Sequence, residues 1–397
     1  RHGRAMSRGP RIGILLSGRH IANRERMFFR IADHLAARGA ETVFLAAGPE
    51  PVLTAALGAS GKLHNVSSLP VHLAGIPLPH GLRLLSSIRP LARYIRDCPL
   101  DILFATSVPP NLIALLASAR SERPVRIVLR QSNTIGLRGG EFAGIERRWR
   151  DLLIPRLYPK ADCVIANSDG VARNLAALGM PETRITAIPN GIDCAWIARQ
   201  AQMPARLPPA APGVKTIITV GRLVAQKDHA TLIRAVAAMG SGVGCRLVIL
   251  GSGPEKPALR ALADNLGLAE RVHFAGYQAN PYSFLAQSDL FVLSSRYEGM
   301  PNVLLEALAC GLPAVSTDCP SGPSEILADG AFGELVPVAD PTALALAMTH
   351  ALQAPPQPER QRWRARAYDV ETIAARYADV ILGSTVAEAT LTHAAAE

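Results

Sequence analysis

A chain of 397 residues that is 49% apolar and 19% charged is a globular protein, too long for one small core and too apolar for disorder. No apolar run reaches the ~18–20 residues of a membrane helix, and no leader-type segment follows the basic start Arg1–Arg11, so a cytoplasmic protein is expected, beginning at Met6 or upstream. The net charge of +10 is uneven, with 27 Lys/Arg against 14 Asp/Glu in residues 1–200 and 15 against 18 in residues 201–397; 5% aromatics with no basic-aromatic interleaving exclude nucleic acid, and an anionic lipid or lipid-linked partner suits the first half.

In chain order, short apolar or β-branched runs alternate with longer helical patterns. Strands are expected at Arg11–Leu16, Glu41–Ala46, Asp101–Ala105, Arg126–Arg130 and Asp162–Ile165, with helices at Arg24–Ala37, Arg83–Arg96, Asn111–Ala119, Arg147–Tyr158 and Gly170–Leu178. Basic and apolar residues mix over Glu146–Lys160, a stretch that could lie on an anionic membrane or pack on the core. Pro-Asn-Gly-Ile-Asp at 189–193 is a turn signal, and the Pro/Ala-rich stretch Ala201–Pro212 marks a domain boundary. The pattern then restarts. Strands are expected at Thr216–Val220, Arg246–Leu250, Val272–Phe274, Leu290–Leu293 and Ala314–Ser316, with helices at Asp228–Met239, Glu255–Leu266, Asn302–Ala309 and Thr342–Gln353. Gln353–Glu359 reads as a second Pro-rich hinge before a last helix, Glu371–Leu382. Such alternation predicts two doubly wound α/β domains, with ligands held outside the carboxyl ends of the strands.

The six cysteines stand singly and no Cys/His cluster has zinc spacing, so buried thiols are expected and no metal site. The chemistry gathers in the second half. Gly221, Arg222 and Lys227 follow one strand end: a glycine for a turn at positive φ, then two cations suited to phosphate oxygens, with Asp228 as the N-cap of the next helix. Gly251 and Gly253 follow the next strand, and Gly276 the one after, where a bare backbone can approach a ligand. Most informative is Arg296–Leu312. Glu298 and Glu306 stand eight apart around Gly299, Met300, Pro301, Asn302 and Val303, so a carboxylate, a helix N-terminus with its backbone N–H groups, and a second carboxylate follow in order. That order fits a ligand with hydroxyls at both ends and negative charge between them, such as a nucleotide-sugar.

Gly221–Asp228, Gly251–Pro254 and the Glu-x7-Glu at 298–306 resemble the donor-site motifs of retaining glycosyltransferases of family 4, and Cys319-Pro-Ser-Gly-Pro-Ser-Glu-Ile-Leu resembles bacterial members that build lipid-linked oligosaccharides, O-antigens or capsules. The resemblance implies the GT-B architecture: a Rossmann-like acceptor-binding domain over 1–200, a donor-binding domain over 201–368 facing it across a cleft, a helix over 369–383 crossing back to the first domain, and a flexible tail over 384–397. It also implies a metal-independent hexosyl or N-acetylhexosaminyl transfer from a UDP-sugar to a glycan or polyprenyl-linked hydroxyl; the basic first half adds the expectation of a peripheral place on the inner face of the plasma membrane. Arg222 and Lys227 would neutralise the leaving diphosphate, Glu298 would hold the transferred sugar, and Glu306 the ribose. Backbone groups of Gly221, Gly251, Gly253 and 299–303 would line the donor. Two departures stand out. The first loop, Ser17–His20, has a single glycine, and Arg130-Gln-Ser-Asn133 occupies the place where many members carry a histidine, which leaves His20 and Asn133 as the candidates there. Two other readings remain: a glycoside hydrolase using Glu298 and Glu306, for which a helical span of up to ~12 Å is wide, and a nucleotide-sugar-binding protein without turnover.

Overall fold

The computed structural model describes residues 9–16, 23–46, 63–66, 72–73, 76–77, 85–135, 152–208, 211–240 and 244–383. Strands β1 (Arg11–Leu16), β2 (Glu41–Ala46) and β3 (Leu63–Asn65) are followed by a small antiparallel pair, β4 (His72–Leu73) and β5 (Ile76–Pro77). Next come β6 (Ile102–Ala105), β7 (Arg126–Gln131), β8 (Cys163–Ala166) and β9 (Ile185–Ala187). The second half contributes β10 (Lys215–Val220), β11 (Cys245–Leu250), β12 (Val272–Gly276), β13 (Leu290–Leu293), β14 (Ala314–Thr317) and β15 (Glu334–Val336). They form two sheets, in the orders β3-β2-β1-β6-β7-β8-β9 and β12-β11-β10-β13-β14-β15, with every pairing parallel. Each order reverses once, between β1 and β6 and between β10 and β13, the point at which doubly wound sheets bind their ligands.

Parallel strands covered on both faces must be apolar on both sides of the pleat, and these are. Ile217, Leu247 and Ile249 enter one layer of the second domain; Ile218, Val248 and Leu250 enter the other. The first sheet has the same two layers, and one of them is completed from the far end of the chain. Helix Val370–Leu382 buries Ile373, Tyr377 and Ile381, spaced by one turn, against Ile12 and Phe104. Asp369 caps its first turn by accepting from the Glu371 N–H, and Gly383 ends it in the left-handed region. Arg38–Asp379 at 2.9 Å and Arg30–Glu371 at 3.3 Å tie its outer face to helix Asn23–Ala37.

Several expectations shift. Residues 85–86 are already helical, a turn at Ser87 separates them from helix Ile88–Asp97, and 83–84 lie outside the described residues; helix Val108–Ser118 begins three residues earlier than expected, Pro109 and Pro110 serving in its first turn. Residues 152–157 are helical and bury Ile154, with Tyr158 buried just beyond, so this part of the basic-apolar stretch packs on the core; its start, 146–151, lies outside the described residues, as do Ser17–His20 and the tail from Ser384. The Pro-rich hinge runs into a helix, Pro358–Arg366, because proline is tolerated at the first helical position. The short edge strands β3, β9 and β15 and the short helices Cys194–Ala201, Tyr282–Leu285 and Pro323–Leu327 have too few residues for a visible period. Ile192 and Ile197 already belong to the second core, so the chain changes domain just after Asn190, ahead of the Pro/Ala-rich stretch.

Candidate functional site

The carboxyl end of the second sheet is lined by turns that need bare backbone. Gly251, at φ +140, follows β11, and a Cβ there would collide with the Gly221 carbonyl. A Cβ on Gly253 would collide with the Leu223 carbonyl. Gly221 itself has no positive φ, contrary to the turn expected there, and a Cβ on it would meet the Lys227 stem at an ordinary 3.4 Å. The left-handed residue of this loop is Asp228 at φ +45, a conformation that aspartate tolerates better than most residues. Its carboxylate accepts from the Thr231 N–H and hydroxyl, capping helix His229–Ala238, and takes Arg296 Nε at 3.0 Å.

These bonds join the loop after β10 to the loop after β13, across the point where the strand order reverses. Arg296 N–H donates to the Gln226 carbonyl, Gln226 Nε2 to the Tyr297 carbonyl, and Ser294 hydroxyl to the Lys227 carbonyl. In this frame Lys227 Nζ lies 2.5 Å from Glu298 Oε1, which also accepts from Ser295 Oγ at 2.6 Å. Both side chains are largely buried, so the pair is weakly screened. An ammonium has three donors, and Glu298 uses one of them. Arg222 projects to the surface from the same loop. Its carbonyl is held 3.3 Å from the Nε2 of His229, whose burial pushes the imidazole down to about 4 and keeps it neutral.

Glu306 takes other company. It is buried in the second turn of helix Asn302–Ala309 and accepts from the Tyr282 hydroxyl at 3.2 Å. With Asn302, Trp196 and Tyr282 it walls a small cavity of about 30 Å³ between the domains, closed on the other side by Met27 and Arg30. Burial and the nearby carboxylates push the thiols of Cys310 (beside Glu306) and Cys319 (beside Glu298) up to about 12, leaving both inert.

The segment 299–303 meets the first domain directly. A Cβ on Gly299 would collide with the Ser132 carbonyl and stand 3.0 Å from Asn133 Oδ1. So the Arg130–Asn133 loop lies against the proposed sugar end of the site. Met300 and Pro301 are buried, no side chain caps the helix that starts at Asn302, and Gly322 lies under Pro301. Among the sequence-predicted residues, the structure thus groups Gly221, Lys227, Gly251, Gly253, Glu298 and Gly299, with Asn133 opposite; His20 falls outside the described residues.

Sequence reading gave no role to Asn190, Arg130, Tyr377 or Glu325. Asn190, inside the presumed turn, bonds Arg130 on one side and Asn302 on the other. Arg130 is 1% exposed, and Tyr377 donates no charge to it, only a hydroxyl oxygen 3.0 Å from Nε. Glu325 crosses the interface to accept the Asp169 and Gly170 N–H groups at 3.0 and 3.1 Å, capping helix Asp169–Ala177 from the other domain. An arginine inside the apolar strand β7 was the one signal available.

Residues 25–196 match the family described as Glycosyltransferase Family 4, and residues 208–370 match Glycosyl transferases group 1. The chain is 36% identical over 246 residues to N-acetylgalactosamine-N,N'-diacetylbacillosaminyl-diphospho-undecaprenol 4-alpha-N-acetylgalactosaminyltransferase of Campylobacter jejuni, covering 61% of this chain and 64% of that one. It is 36% identical over 191 residues to the lipopolysaccharide core biosynthesis glycosyltransferase LpsE of Rhizobium meliloti, covering 48% and 54%. The matches thus span between half and two thirds of these relatives' own length. Among solved structures, Anabaena HepE in complex with UDP and glucose superposes with a TM-score of 0.74 at 19% identity, over 94% of this chain and 99% of that one. The apo lipopolysaccharide outer core galactosyltransferase WaaB gives 0.71 at 19% identity over the same shares. At that identity the likeness establishes the GT-B fold.

Proposed function

Since the chain belongs to the glycosyltransferases of group 1 and family 4, we propose that it transfers a hexose or N-acetylhexosamine from a UDP-sugar, with retention of anomeric configuration, to a hydroxyl of a glycan or lipid-linked acceptor in bacterial surface polysaccharide synthesis. The observation that carries this reading is the Lys227–Glu298 pair at the reversal point of the second sheet. At 2.5 Å, a cation for the leaving diphosphate and a carboxylate for the sugar hydroxyls can reach the two sides of one glycosyl–phosphate bond. Departure of a diphosphate leaves charge on its oxygens, and Lys227, Arg222 and the N-terminus of helix Asn302–Ala309 supply preorganised positive potential for it. The two unused donors of Lys227 suffice for that without breaking its bond to Glu298.

In this reading Glu306 holds the ribose, the second domain binds the donor, and the first domain, with Asn133 facing Gly299, receives the acceptor. HepE, solved with UDP, supports the choice of nucleotide, and the diphospho-undecaprenol named for the Campylobacter relative supports a lipid-linked acceptor. The basic first half would then face the anionic leaflet, and flotation with anionic vesicles tests that. The separate surroundings of Glu298 and Glu306 weigh against an acid–base pair acting on one bond. Incubation with UDP- and GDP-sugars plus a lipid-linked acceptor extract, followed by NMR of the product linkage, is the test. UDP release that requires acceptor, an axial-to-axial outcome for an α-donor and loss of both in Lys227→Ala are expected. Sugar released to water alone would favour a hydrolase, and binding without any release a sensor.

A further inference from the structure

Arg130 is a buried cation whose described partners are all neutral oxygens: the Tyr377 hydroxyl at 3.0 Å from Nε, the Thr106 carbonyl at 3.4 Å from Nη1, and Asn190 Oδ1 at 2.5 Å from Nη2. The Phe28 ring lies 5.6 Å from the guanidinium carbon. A guanidinium only donates, so Asn190 must turn its oxygen toward Arg130. Its Nδ2 then points to the other domain, where it donates to Asn302 Oδ1 at 2.6 Å and reaches the Met300 carbonyl at 3.4 Å. A carbonyl only accepts, which fixes the same orientation independently. Asn302 therefore receives this bond on its oxygen, which leaves its NH2 as the group it can offer to a ligand oxygen at the small interdomain cavity it lines with Arg30 and Glu306. Asn302 and Glu306 stand four apart, on one side of the helix.

We infer that Arg130, Asn190 and Asn302 form a one-directional donor relay that sets the amide of Asn302 to present N–H groups to an oxygen of the donor's ribose–phosphate portion, beside the Glu306 carboxylate. The inference rests on the nucleotide-sugar reading above. A diol or phosphate oxygen there finds a donor and an acceptor side by side. The charge at the buried end polarises each bond in the same sense. Asn302 would touch the ligand; Arg130 and Asn190 are positioning residues.

The test is calorimetric titration of UDP into the full chain, with thermal melting of each variant. Asn302→Ala should weaken UDP about tenfold, the worth of one hydrogen bond to a charged or strongly polarised group. Asn302→Asp keeps the shape and still accepts from Asn190, yet turns an anionic oxygen on the ligand, and should weaken UDP about a hundredfold. Asn190→Asp gives Arg130 a carboxylate and keeps the melting temperature, but removes the donor to Asn302, and should weaken UDP about tenfold. An Asn302→Asp protein that binds UDP as well as Asn302→Ala, or an Asn190→Asp protein within twofold of wild type, overturns the relay while leaving the proposed function intact. If Asn302→Asp does not fold, the other two variants decide alone. Wild-type protein that binds none of UDP, GDP, ADP and dTDP overturns the proposed function and the relay together.

Discussion

The two sheets share one winding, and their carboxyl ends have been finished in opposite ways. In the second domain the strand ends carry glycines, Gly221, Gly251 and Gly276, the last two at positive φ, and the largely buried Lys227–Glu298 pair sits beside them. In the first domain the strand end at β7 is filled. Arg130, Gln131, Asn111 and Tyr158 bond one another and neighbouring backbone in a buried network, Asn111 Nδ2 donating to both the Arg130 carbonyl and the Tyr158 hydroxyl, which in turn donates to Gln131. The second-domain end is the one proposed to take the donor, and the first-domain end holds residues 131–133 against it.

The sharpest way to break this contrast is at Lys227. Lys227→Ala is expected to cut acceptor-dependent nucleotide release about a thousandfold, the scale seen when a single preorganised charge-stabilising group is removed; initial rates at saturating donor measure it, and an unchanged rate removes the Lys227–Glu298 pair from the chemistry. Next is the glycine frame. Gly251→Ala should destabilise the protein by about 3 kcal/mol, since it adds backbone strain and a collision with Gly221, whereas Gly276→Ala, at φ +74 with open space around it, should cost about 1 kcal/mol. Urea midpoints of the two variants give the comparison directly.

A third effect depends on pH. Burial lowers the His229 imidazole from 6.5 to about 4, so the unfolded chain takes up the proton first. The stabilisation is whole above pH 6.5 and is lost as the pH falls from there toward 4, amounting to about 3 kcal/mol at 1.36 kcal/mol per unit. His229→Asn should flatten that part of the stability–pH curve. The smallest effect is expected at the interface. Glu325→Ala removes the acceptor of the first two N–H groups of helix Asp169–Ala177, leaving the Ser168 cap, and should cost about 1 kcal/mol. Since burial raises the Glu325 carboxyl, its ionised form is disfavoured in the folded state, and the stability it lends fades as the pH rises through the raised value. Melting temperatures of wild type and variant from pH 5 to 8 should therefore converge toward the alkaline end.

How much was legible follows from where the information lies. The long strands and helices of the second domain are local patterns: β13 and helix Asn302–Ala309 have the bounds their apolar runs predict. Gly221, Lys227 and Glu298 were visible because glycine, lysine and glutamate beside strand ends carry meaning residue by residue. Asn190 was not, because a buried asparagine and a turn asparagine look alike until their partners, 60 residues before and 112 after, are known. Glu325 was hidden for the same reason: its partners, Asp169 and Gly170, lie more than 150 residues away and are backbone groups, which leave no mark on the sequence. Short edge strands such as β9 and β15 are held by pairing rather than by pattern.

Gly299 carries a consequence for how such a protein can change. It is where the two halves touch through bare main chain, with the Ser132 carbonyl filling the space a methyl group would need. A side chain at that position would act as a wedge, prising the halves apart at the very segment proposed to hold the sugar. Any side chain added there must therefore act first on the seam between the halves, before it can act on whatever the segment holds.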